Sequence, residues 1–84
     1  MIKPGNYLKN KLRPLSQPMT ELLMDCHERE LLKLEPCEAG SVKYAAKGLI
    51  ERGLLETNFH TIQNGKKIMA LFVTEAGKQY LKNL

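Results

Sequence analysis

Apolar residues recur at helical spacing along the first part of this chain. Met19, Leu22, Leu23 and Cys26 fall on one side of a helix that starts near Pro18. Pro18 suits the first helical position, where its missing N–H is not needed, and Ser16 or Gln17 can cap. Leu31, Leu32 and Leu34 continue the apolar content after the polar stretch 27–30. Two readings follow. One helix runs to about Leu34, or a helix to about Cys26 is followed by a tight turn and a short helix over 29–34. Pro36 closes either one.

A second periodic stretch covers 41–52. Val42, Ala45, Ala46, Leu49 and Ile50 form a stripe at spacings of three and four, and Ser41 is a reasonable cap. Gly53 is placed to end this helix in a left-handed conformation. Gly48, in mid-helix, costs about 1 kcal/mol of propensity against Ala and marks a close approach of another backbone. The period then changes. Strands over 56–63 and 66–74 flank Asn64-Gly65, a strong signal for a type I′ hairpin turn. That turn sets Gln63 opposite Lys66 and Phe59 opposite Ala70. One face then carries His60, Ile62, Met69, Leu71 and Val73, and the other Phe59, Ile68, Ala70 and Phe72. Neither face is cleanly polar, so both are expected to be partly covered. Thr74 caps a last helix, with Glu75 at its positive end and Ala76, Tyr80, Leu81 and Leu84 on its apolar side.

The predicted class is α+β, mainly α. The order is three N-terminal helices, the second short, a two-stranded hairpin and a C-terminal helix. Residues 1–18 read as a basic arm interrupted by Pro4, Gly5, Pro14 and Pro18, and 19–84 as the domain. This order suits a winged helix-turn-helix, whose third helix fits the major groove of duplex DNA and whose hairpin reaches the phosphates.

Composition narrows the function classes. An 84-residue domain buries about 60% of its unfolded surface, which leaves little room for a multi-loop catalytic cleft. With 43% hydrophobic and 26% charged residues the chain is too apolar for disorder. No apolar run approaches the ~18 residues of a membrane span. No apolar signal core follows the first five residues, so the cytoplasm is the expected compartment. The spacing of Cys26, His27, Cys37 and His60 matches no paired zinc-ligand arrangement, and no disulfide is expected without secretion. Neither a metal nor another cofactor is expected. No Ser/His/acid constellation stands out, so no enzyme activity is expected.

Charge is uneven along the chain. Residues 1–20 carry a net +4, residues 21–38 a net −4 and residues 39–84 a net +4. Two basic segments flanking an acidic one fit a polyanion partner, or simply solvated faces of mixed sign.

Two stretches resemble a family. Leu49-Ile50-Glu51-Arg52-Gly53-Leu54-Leu55-Glu56 is similar to the end of the recognition helix and the turn into the wing of MarR-like regulators. Val73-Thr74-Glu75-Ala76-Gly77 is similar to the stretch where that family leaves the wing. The resemblance covers roughly residues 41–81 and implies a winged helix and DNA binding in transcription regulation. This chain departs from the pattern in several places. The family's frequent Asp-x-Arg in the wing falls on Gly65-Lys66-Lys67, the region before Ser41 is shorter, and the long terminal dimerisation helices are missing. A dimer of that style is therefore not implied.

The candidate DNA contacts are Ser41, Lys43, Tyr44 and Lys47 on the third helix, Lys66 and Lys67 on the wing tip, and Lys9, Lys11 and Arg13 on the arm. Lys supplies charge for phosphate without the bidentate geometry of Arg, and no Arg precedes Arg52 on the helix. The alternative is a protein-interaction or assembly module, docking a homodimer or partner through Phe59, Ile68 and Phe72.

Overall fold

The computed structural model describes residues 14–84, with Ser41 and Lys43 described in their backbone only. Three helices and an antiparallel hairpin make an α+β, mainly helical architecture. Helix α1 spans Gln17–Leu31, a 3-10 turn spans Ala39–Val42, and α2 spans Lys43–Glu51. Strands β1 (Leu55–Thr61) and β2 (Lys67–Val73) follow, then α3 (Glu75–Lys82). The arm residues Lys9, Lys11 and Arg13 lie outside the described residues.

The single-helix reading of the first stretch is the correct one, although the helix stops at Leu31. Ser16 caps it by accepting from the amide of Met19, and Pro18 lies in the first turn. Its buried face is Leu22, Leu23 and Cys26. Arg29 bonds back to Asp25 on the same helix, which carries the helix through the polar stretch. The end is a left-handed turn. Lys33 has φ 58, its amide bonds to Glu30, and the amide of Leu34 bonds to Arg29. Leu31, Leu32 and Leu34 remain 68%, 60% and 56% exposed, so that run is surface rather than core. The expected short second helix over 29–34 is absent; only the 3-10 turn stands before α2.

Helix α2 is shorter than the expected 41–52. Ser41 sits in the 3-10 turn, and Val42 takes the N-cap position without a side-chain bond. The predicted stripe faces inward at Ala46 and Leu49, while Ile50 at its edge is 39% exposed. Gly48 is approached by a side chain and not by a backbone. A Cβ there would lie 2.7 Å from Met19 Cε. Gly53 ends the helix as expected, with φ 73, its amide bonded to Ile50 and that of Leu54 bonded to Leu49. Leu49 and Leu54, the two side chains flanking that turn, are both buried.

The hairpin forms, but its register differs by one residue from the sequence expectation. Phe59 pairs with Met69, His60 with Ile68 and Leu55 with Val73. The connection is the three residues Gln63-Asn64-Gly65, not a two-residue type I′ turn. The Gly65 amide bonds to Ile62, Ile62 and Lys66 close the loop, and Gly65 has φ 87. A turn ending in one left-handed glycine is the three-residue alternative, and here it wins because the Asn64 side chain accepts from the amide of Lys66. The slip re-sorts the faces. Leu55, Phe59, Met69, Leu71 and Val73 share one face; His60, Ile68, Ala70 and Phe72 share the other. The predicted patch of Phe59, Ile68 and Phe72 is therefore split between opposite faces.

The core lies between α1, α2 and the first of these faces. Leu23, Leu49, Leu55 and Leu71 are its largest fully buried side chains. The segment after α1 returns to the sheet, where Glu38 bridges Ala70 and the amide of Leu71 bonds to the carbonyl of Cys37. Helix α3 packs with Gly77, Tyr80 and Leu81, while Ala76 is exposed and Leu84 is 70% exposed. Gly77 takes the inward place expected for Ala76, because it meets the backbone carbonyl of Leu54 too closely for a side chain.

Candidate nucleic-acid interface

The candidate contacts on α2 follow from which face the core uses. Ala46 and Leu49 point inward, so positions 44 and 47 point out. Tyr44 is 85% exposed and Lys47 is exposed. The backbone of Ser41 and Lys43 places both at the start of the same helix, in the 3-10 turn and the first helical residue. Val42 offers this helix start no side-chain cap, and helix-start amides carry partial positive charge toward an anion. Lys47 and Ile50 line a shallow depression with Ala39, Ala46 and Glu51.

The hairpin places Lys66 at the end of its loop and Lys67 as the first residue of β2, opposite Thr61. Both are exposed. Acidic side chains lie near this tip. Glu35 and Glu38 line a depression with Ile62, Gln63, Asn64 and Ile68, and Glu35 meets His60 at 3.0 Å. Lys47 of α2 and the lysines of the hairpin stand on separate elements.

Sequence reasoning missed a polar cluster between α1 and the returning segment. Asp25 Oδ2 accepts from Arg29 Nε at 3.0 Å and from Cys37 Sγ at 3.2 Å. Arg29 also donates from Nη1 to the carbonyl of Glu35 at 2.8 Å. The Cys37 thiol and the Arg29 guanidinium together hold the Asp25 carboxyl below its ordinary range. Glu30 reaches across to accept the amide of Val73 at 2.7 Å, tying α1 to the end of β2. The i, i+4 spacing of Asp25 and Arg29 was readable; the other partners are distant in sequence and carried no local signal. Arg52 is not an exposed candidate either. It donates to the carbonyl of Gly48 at 2.9 Å, and its Nε is buried without a partner among the described residues.

Among the described residues, no group of three or more His, Cys, Asp or Glu is arranged to hold a metal ion. Among the same residues, no helix is long and apolar enough to cross a membrane. No family model, curated protein sequence or solved structure matches this chain.

Proposed function

We propose that this protein is a small winged-helix DNA-binding protein of the cytoplasm, acting in transcription regulation rather than as an enzyme. In this reading α2 enters the major groove and the hairpin is the wing. The observation that carries it is the outward face of α2, where Tyr44 and Lys47 are exposed while the opposite face is fixed in the core. Lys43 and Lys47 contact phosphates or base edges, and Tyr44 packs on sugar or a thymine methyl. Ser41 and the helix-start amides hold a phosphate. Lys66 and Lys67 contact the backbone from the wing, and Lys9, Lys11 and Arg13 add charge from the arm. Lysine-based contacts with few bidentate partners favour affinity over sequence readout.

The test is duplex-DNA binding by the full chain across a salt series. Lys47→Ala combined with Lys66→Ala and Lys67→Ala is expected to weaken binding and flatten its dependence on salt. The log–log slope should fall by roughly one unit for each phosphate no longer neutralised. Absence of binding at low salt, or an unchanged slope in the triple variant, overturns the reading.

A second reading, an assembly module without DNA, draws on a different surface from the one the sequence pointed to. Met24, Leu31 and Leu84 are 52%, 68% and 70% exposed and line one groove with Leu81, His27 and Glu28. Sedimentation at high concentration separates the readings. A monomer that binds DNA supports the first, and a concentration-dependent oligomer that does not bind DNA supports the second.

A further inference from the structure

We propose that Cys26 and Cys37 form a reversible dithiol–disulfide pair that locks α1 to the segment joining it to the hairpin sheet. The geometry begins with two free cysteines that the fold brings together from different elements. Cys26 sits on the inner face of α1 and is 2% exposed. Cys37 is half-buried and packs against the core cluster that contains Cys26. Cys37 also donates to Asp25 Oδ2 at 3.2 Å, on the residue next to Cys26 in α1.

The backbone on both sides is anchored. Cys26 lies within the regular part of α1. The carbonyl of Cys37 accepts from Leu71 at 3.0 Å, and the next residue bridges Ala70. Arg29 braces the intervening turn through Asp25 and the Glu35 carbonyl. Disulfide closure therefore joins two anchored pieces of backbone. It encloses residues 27–36, which include the left-handed turn at Lys33.

The oxidant class is a small-molecule disulfide such as glutathione disulfide. Cys37, the more accessible thiol, attacks first. Its sulfur bonds to one glutathione sulfur, the glutathione S–S bond breaks, and the leaving thiolate takes up the proton that Cys37 gave to solvent. Cys26 then loses its proton and attacks the Cys37 sulfur. The mixed disulfide breaks and the second glutathione leaves as a thiol. One disulfide is reduced and two protein thiols are oxidised, with no electron left over. Burial holds the Cys26 thiol protonated, with its pKa pushed up to about 12, and raises that of Cys37 as well, so both steps speed up with pH.

The test exposes the full-length protein to glutathione disulfide at several pH values, quenches it with acid, unfolds it in alkylating reagent and measures intact mass. The expected product has lost two hydrogens, takes no alkyl group, forms faster at higher pH and reverts with dithiothreitol. Cys37→Ser is expected to leave Cys26 free of glutathione while the protein is folded. Cys26→Ala is expected to stop at a glutathione adduct on Cys37. A wild-type protein that accumulates only the adduct, or keeps both thiols alkylatable, overturns the proposal. So does a folded Cys37→Ser variant whose Cys26 reacts as fast as the wild-type pair.

Discussion

The hydroxyl of Thr74 donates to the carbonyl oxygen of Gly53 at 2.6 Å while accepting from the amide of Gly77 at 3.0 Å. One side chain thus joins the end of α2 to the start of α3, and the amide of Thr74 adds a bond to Leu54 at 3.1 Å. The two stretches that carry the family resemblance meet at this joint. Thr74→Val keeps the shape and removes both hydroxyl bonds. The expected loss is about 2 kcal/mol, from a missing cap and an unanswered carbonyl. Thr74→Ser is expected to retain most of the stability. Urea denaturation of the three proteins measures this, and a Thr74→Val midpoint equal to wild type would show the joint to be unimportant.

Gly77 offers a test in which two principles disagree in sign. Helix propensity alone favours Gly77→Ala by about 1 kcal/mol. The added Cβ, however, meets the Leu54 carbonyl and lies 2.8 Å from Val73 Cγ1, and the carbonyl is held by its bond to Thr74. Overpacking against backbone costs roughly 1–3 kcal/mol, so Gly77→Ala is expected to lower the thermal midpoint. A raised midpoint would mean that α3 shifts freely on the sheet.

Lys33 is the only non-glycine with positive φ among the described residues, and it closes α1 where glycine is the usual choice. Left-handed backbone costs a residue with a Cβ roughly 1–2 kcal/mol, partly offset by the extra freedom of glycine in the unfolded chain. Lys33→Gly is expected to stabilise the protein by about 0.5–1 kcal/mol, read as a higher urea midpoint with unchanged slope. A destabilised variant would contradict that account.

Cys26 gives the protein an alkaline limit. Burial raises its pKa from 9.0 to about 12, so between those values the folded state keeps a proton that the unfolded state releases. Stability is full below pH 9 and falls as pH rises toward the folded value. By about pH 11 the loss is on the order of 2 kcal/mol. Denaturation under reducing conditions from about pH 8 to about pH 11 should show this decline, and Cys26→Ala should flatten it after starting from a lower value.

Asp25 gives a smaller acid limit of the opposite kind. Its depressed pKa means that the contribution is present above the unfolded value near 3.8 and is lost as pH falls through the folded value. The Arg29–Asp25 pair is substantially exposed, so this effect is expected to be modest. Asp25→Asn should make the acid side of the stability profile shallower, and an identical acid limb would remove Asp25 from the account.

Local chemistry made much of this fold readable in the sequence. Ser16 and Pro18 start α1, Gly53 stops α2, Thr74 starts α3 and a turn near Asn64-Gly65 folds the hairpin, because each acts on backbone groups within a few residues. The outward placement of Tyr44, Lys47, Lys66 and Lys67 was readable too, since the apolar stripe and the turn leave them no other place. Tertiary structure decided the rest. A single residue of register moved Phe59 away from Ile68 and Phe72, because two turn types compete for the same Asn-Gly and differ little locally. Gly77 rather than Ala76 faces inward because only a backbone without a side chain fits over Leu54. Asp25, Arg29 and Cys37 meet because the chain reverses at Lys33 and bonds to β2. Caps and turns act over a few bonds and leave a mark in the sequence, whereas contacts made on folding depend on where whole elements come to rest.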